Sequence, residues 1–208
     1  MSVNKTKKQF STSQSPQPTQ NSTLRSEHII ISPAETIDAE IYQTLCQHIH
    51  QVLGYPIETK SLLASVEFAF DSSRNQYHST LILEKLAETA SWPTIKILAI
   101  TNVDLFIPIL THVYGEAQLG GKACIVSTYR LKEDFSSVNI QDFKARIVKE
   151  SIHELGHTFN LRHCPEKTCI MHYCRSLQDV DRKSDQLCRY CKVLLADEIK
   201  SMAGKLGV

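Results

Sequence analysis

The chain is poor in aromatic residues, which make up 7% of its 208 positions, with a single Trp. Its core must therefore be built from aliphatic side chains. An excess of one charge is also missing. The formal net charge is +1, which gives no sign of a polyanionic partner. The asymmetry that exists sits in residues 1–26, which hold Lys5, Lys7, Lys8 and Arg25 and no acid; without them 19 basic residues face 22 acidic ones. The rest of the chain is thus mildly acidic, which argues against nucleic acid. No apolar run is long enough to cross a bilayer, and the N-terminus lacks the apolar centre of a secretory signal. The expectations are a cytoplasmic protein with no membrane partner, acting as a monomer. Residues 1–26, rich in Ser, Thr, Gln, Asn and Pro, cannot bury enough apolar area to offset their ordering entropy, and a disordered tail is expected there. A transit peptide is the competing reading, opposed by the lack of regular arginines and of an apolar face.

From residue 28 onward the pattern alternates between strand and helix. "HIIIS" (28–32) reads as a short buried strand. Ile37, Ile41, Leu45, Ile49, Val52 and Leu53 recur at helical spacing, and Gly54 is a natural stop. "SVEFAF" (65–70) alternates like a half-buried strand. "STLILEKLAETA" (79–90) reads as a second helix. "TIKILAIT" (94–101) has the β-branched look of a central strand. Pro108 excludes a central strand nearby, so an edge strand is expected around Thr111 to Gln118. "KACIVSTYRL" (122–131) reads as a further buried strand. A helix begins at Ile140, with Asn139 as N-cap and an apolar stripe through Phe143, Ile147, Val148, Ile152, Leu155 and Phe159. No helical period follows His163 until about Ser184, where a closing helix begins. The class is α/β.

The chemistry concentrates in "HELGHTFNLRHC" (153–164). Residues four apart on a helix share a face, so His153 and His157 can bind one ion through their imidazoles. A catalytic zinc takes a third protein ligand and leaves a fourth position for water. His163 can be that ligand only if the helix ends near Asn160 and the chain turns back. Glu154 then reaches the side where a metal-bound water would sit and can take its proton. A surface helix carrying histidines by chance is the alternative, and the third histidine and the following cysteines weigh against it.

Five of the seven cysteines fall within 28 residues near the C-terminus. Without an export signal, clustered thiols point to metal rather than to disulfides. Cys164 is adjacent to His163, and neighbouring side chains diverge, so the two serve different ions. Cys164 with Cys169, and Cys188 with Cys191, form two short pairs with a spacer, the pattern of a closed four-thiolate zinc. Two zinc ions per chain are expected, one catalytic and one structural, the second stapling a region with little core of its own. Cys174 is left over and could displace one of the four. Cys46 and Cys124 read as core.

These residues resemble the archaemetzincins of the metzincin clan. The resemblance rests on "HELGHTFNLRH", on "CIMHY" and on the four cysteines. It extends through "NVDLFIP", "YGEA", "GGKACIVSTYRL" and "SLQDVDRKSDQLCRYC". It implies a metzincin-like fold, a twisted mixed sheet with helices, a long zinc-binding helix and a small zinc-stapled C-terminal part. Residues 27–208 would form one domain, with a boundary between 157 and 158. It implies His153, His157 and His163 as ligands, Glu154 as general base, Met171 as the Met-turn residue beneath the metal, and Tyr173 as an assistant to the transition state. One departure stands out. Metzincins usually carry glycine where this chain has Asn160, and asparagine is the best non-glycine residue for a left-handed turn. The function implied is a zinc-dependent peptidase acting on a peptide or protein. A zinc-stabilised peptide-binding protein without turnover is the runner-up, and a nucleic-acid-binding zinc ribbon a third reading that the acidic charge disfavours.

Overall fold

The computed structural model describes residue 1 and residues 27–34, 38–132 and 139–205. The tail expected over residues 1–26 therefore lies outside the described residues, Met1 apart. Strand β1 (His28–Pro33) leads into helix α1 (Ala39–Leu53), and β2 (Ile57–Thr59) follows. The side chain of Asp38 accepts from the amides of Glu40 and Ile41 and so starts α1, while Gly54 ends it in the left-handed region at φ 78°. Strands β3 (Phe70–Asp71) and β4 (Gln76–His78) precede α2 (Ser79–Thr89). Strand β5 (Thr94–Thr101) is buried at every position, as befits a central strand. Then come β6 (Leu105–Phe106), β7 (Gly115–Ala117), β8 (Ala123–Ser127) and the long α3 (Ile140–Thr158). Helices α4 (Leu177–Arg182) and α5 (Arg189–Lys205) close the chain.

The main sheet has the order β2-β1-β5-β8-β7, with β5 at its centre. Its first four strands run parallel and β7 runs antiparallel to β8 at one edge. A second sheet has the order β3-β4-β6. The pleat sends alternate side chains to opposite faces. Ile29, Ile31, Leu98, Ile100, Cys124 and Val126 pack on one side with α1 and α3. Ile30, Ile97, Ala99, Ala123 and Ile125 pack on the other with α2. The result is the mixed α/β architecture expected from the sequence. Leu177, Leu187, Cys191 and Leu195 belong to the same cluster as Ile147 and Leu155, so the C-terminal segment is packed onto the body.

Several local expectations need correction. The segment 65–70 is mostly a 3-10 turn at Glu67–Ala69 that enters the two-residue β3; Phe68 and Phe70 are exposed, so alternation there does not reflect a buried face. The edge strand is confined to Gly115–Ala117, because the preceding loop is held by Arg74 and Gln76, which donate to the carbonyl of Thr111. Helix α4 lies where no helix was expected. Its signal was a local one: Ser176 accepts from the amide of Asp179, an N-cap legible in "SLQD".

One buried charge joins sheet to helix. Lys96 on β5 is 4% exposed, and its ammonium donates to the carbonyls of Thr158 at 2.6 Å and Gly121 at 2.8 Å. Burial draws this group down to about 8, so at neutral pH it remains charged and donates at the carbonyl end of α3, where a cation is favoured. Lys96→Met should keep the packing and orphan both carbonyls. The expected cost is about 2–3 kcal/mol, read as a lower urea midpoint at unchanged slope. An unaltered midpoint would show that water can replace the ammonium.

Candidate metal centres and the cleft between them and the sheet edge

Helix α3 carries His153, Glu154 and His157 on its last two turns. Its end is fully accounted for by hydrogen bonds. The amide of Phe159 donates to Leu155 and Gly156, that of Leu161 to Gly156, those of Asn160 and Gly120 to His157, and Lys96 takes the Thr158 carbonyl. Asn160 then adopts φ 62°, the left-handed turn that returns the chain. Its side-chain amide donates to Glu198 on α5 at 3.0 Å. As a result the rings of His153, His157 and His163 lie with centroids 4.7 to 5.3 Å apart, and one nitrogen of each falls within 4.8 Å of the others.

The tautomers follow from the backbone. Nδ1 of His153 is 2.8 Å from the carbonyl of Ile170, and Nδ1 of His157 is 2.6 Å from that of Leu161. A carbonyl only accepts, so both Nδ1 atoms donate and both Nε2 atoms are bare in the neutral rings. Those two Nε2 atoms face each other at 3.1 Å. Two lone pairs so placed repel unless a cation lies between them. Tetrahedral zinc with bonds of about 2.05 Å would set its nitrogen ligands about 3.3 Å apart, close to what is found. Burial also favours the neutral, ligating form. It holds His157 at about 4 and lowers His153 and His163 as well.

Glu154 is 6% exposed and lies against β7. A Cβ at Gly115 would come within 2.7 Å of the Glu154 Cγ, so only glycine lets the carboxylate occupy this place beside the sheet edge. Burial pushes the Glu154 carboxyl well above its usual range, Glu150 and Glu116 add to this, and Lys183 opposes it. Met171 is fully buried beneath α3. Its sulfur would be 2.5 Å from a Cβ at Gly156, which explains the glycine inside H-E-L-G-H. Tyr173 is half exposed, its ring 5.0 Å from that of His163.

The sulfurs of Cys164, Cys169, Cys188 and Cys191 form a second cluster, all within 4.8 Å of one another. Cys164 and Cys188 are 3.8 Å apart, far beyond a disulfide bond. Four thiolates on tetrahedral zinc at about 2.3 Å would be about 3.8 Å apart. The amide of Cys188 donates to the Cys169 sulfur, and that of Cys191 to the Cys188 sulfur. The Cys191 amide is the first cause of a lowered Cys188 thiol, whereas burial raises Cys164 and Cys191. Such a group ionises together only around a cation. Cys174 lies outside this cluster, in the cleft wall, where burial raises its thiol to about 11.

A cleft of about 370 Å³ opens over the histidines, bounded on one side by β7 and on the other by residues 173–175. Sequence reasoning missed several of its features. Gly115 and Gly156 were visible but their close contacts were not. The buried pair of Glu150 and Lys183, 2.7 Å apart, was foreshadowed only by two acids four apart at 150 and 154.

A family model described as peptidase family M54 matches residues 38–197. The archaemetzincin of Methanocaldococcus jannaschii is 36% identical over 173 residues, spanning 81% of this chain and 93% of that protein. Among solved structures, the archaemetzincin of Methanopyrus kandleri superposes with a TM-score of 0.75 at 32% identity, over 86% of this chain and 99% of that one. A zinc-dependent peptidase from Methanocorpusculum labreanum does so with a TM-score of 0.72 at 28% identity, over 81% and 100%.

The turn at residue 160 can be tested directly. Asn160→Gly removes left-handed strain and also the bond to Glu198, so near-neutral stability is expected. Asn160→Ala loses the same bond and keeps the strain, and should cost about 1 kcal/mol or more. It should also weaken metal binding by the histidines. Melting temperature and zinc affinity of the pair decide; alanine matching glycine on both would show that the turn does not depend on residue 160.

Proposed function

The chain belongs to peptidase family M54, the archaemetzincins, and is a zinc metallopeptidase; from that premise we propose that His153, His157 and His163 hold its catalytic zinc and that Glu154 is the general base. The observation that carries this reading is the facing pair of bare Nε2 atoms on His153 and His157, each fixed by a backbone carbonyl at its other nitrogen. Zinc held there supplies Lewis-acid polarisation of a carbonyl and lowers the pKa of water toward about 7.

The remaining work falls to the chain's own groups. Strand β7 uses one of its edges for β8 and ends the sheet. An extended peptide can add to its other edge through main-chain hydrogen bonds. That docking lays the scissile bond across the cleft beside Glu154, whose carboxylate rests on Gly115 of the same strand. Glu154 takes a proton from the attacking water and passes it to the leaving amine. Tyr173, packed on His163, can donate its hydroxyl to the carbonyl oxygen as charge develops.

The four cysteines hold a second, structural zinc in the same proposal. They fasten two pieces of the chain beyond α3 to each other, the loop of residues 164–169 and the start of α5. All seven cysteines are free, in keeping with a reducing compartment such as the cytoplasm. Among the described residues no helix is long and apolar enough to cross a membrane.

Two outcomes are expected. Metal analysis of the replete protein should give two zinc ions per chain. A mild chelator should remove the one held by three neutral imidazoles first and leave the fold, as followed by circular dichroism. A single ion in the fully folded protein would refute the two-site reading. Glu154→Gln should keep zinc and fold and lose peptide hydrolysis by about 10²–10⁴-fold or more; full activity in that variant would assign the base elsewhere.

A further inference from the structure

Three of the five acidic or strongly basic side chains that line the cleft have polar or charged partners. The Glu116 carboxylate accepts from the hydroxyls of Ser79 and Thr80. Glu150 is 2.7 Å from the Lys183 ammonium, and both are buried. Glu154 lines the cleft together with the three histidines. Arg175 differs. It lies in the cleft wall and is exposed. Among the described residues no carboxylate comes within ion-pair distance of its guanidinium, whose neighbour is the Tyr173 ring at 5.9 Å. Tyr173 in turn packs 5.0 Å from the ring of His163, so the cation is two ring contacts from the candidate ligands. Its backbone is held in place. The Arg175 amide donates to the carboxylate of Asp179, which also accepts from Ser176 at the start of α4. The main chain of the wall is thus fixed while the cationic head stays open to the cleft.

We propose that Arg175 is a specificity-determining residue that receives a carboxylate of the bound peptide. The proposal rests on the peptidase reading of the cleft. A peptide added to β7 directs alternate side chains across the cleft toward the wall of residues 173–175. A guanidinium stays charged at any working pH and matches a carboxylate with two parallel N–H donors. Lys183, the other cation of this wall, is neutralised by Glu150 and does not compete. A lysine or arginine of the peptide at this point would meet like charge. An uncharged side chain would gain nothing from the cation. The carboxylate has two possible sources, an Asp or Glu side chain or the free C-terminus of a short peptide.

The test uses the full chain loaded with zinc and carrying Glu154→Gln, so that peptides bind without being cut. Short peptides with a single Glu walked through a Gln background, each with a free or an amidated C-terminus, are titrated by calorimetry. The expected result is about tenfold tighter binding from one carboxylate, a gain that Arg175→Gln abolishes while the affinity for uncharged, amidated peptides stays the same. A preference tied to one Glu position identifies a side chain, and one lost on amidation identifies the chain end; either supports the proposal. Equal binding of all peptides, or a preference that survives Arg175→Gln, overturns it and leaves the peptidase reading intact. Binding of none of the peptides would overturn both.

Discussion

A helix that ran on past Thr158 would carry His163 away from His153 and His157, so the left-handed residue at Asn160 is what brings three imidazoles to one point. The turn is held from three directions. Gly120 and Lys96 take the last carbonyls of α3 from the sheet side, Leu161 bonds back to Gly156, and Glu198 grips the Asn160 side chain from α5. The bond from Leu161 to Gly156 is local to the helix end, whereas Gly120, Lys96 and Glu198 come from outside it. The reversal therefore combines a local signal with contacts that only the assembled fold supplies.

Much of this was legible beforehand because the relevant signals are local. The four-residue spacing of His153 and His157, the N-cap at Asn139 and the apolar stripe of α3 depend only on helix geometry. The buried run of β5 and the glycine that ends α1 are equally short-range. What was not legible depends on partners distant in sequence. "SVEFAF" alternates, yet Phe68 and Phe70 stay exposed, Phe70 meeting only the Tyr77 ring of the neighbouring strand among the aromatic rings described, and a turn forms instead. Gly115 looks like any edge-strand glycine until the side chain of Glu154 is laid against it. The ion pair of Glu150 with Lys183 joins residues 33 positions apart, and no periodicity announces it. Asparagine at 160 was readable as a substitute for glycine, but its second use, a bond to Glu198, was not.

The sheet and the long helix divide the work between them. In the proposed reading, the edge strand offers backbone groups in register for an extended chain, and α3 offers side chains at fixed height along it. Because Gly115 touches Glu154 directly, the distance between those two functions is set by van der Waals contact rather than by a loop. The buried cations follow the same economy of placement. Lys96 quiets the carbonyl end of α3, and Lys183 pairs with Glu150, one of two acids on the helix face.

Residues 163 and 164 are consecutive, yet the first belongs to the imidazole group and the second to the thiol group. Cys164 is buried, its amide bonded to the carbonyl of Met171, and its own carbonyl accepts from His172. With that residue anchored, His163 retains little more than its own backbone and side-chain torsions to search. In the language of effective concentration, the third imidazole is presented to the other two as if it were tethered by a very short linker. The entropy of ordering it has been spent in placing its neighbour. In the proposed reading a neutral three-nitrogen set, which on a floppy chain would grip an ion only weakly, would thereby act as a preassembled chelate.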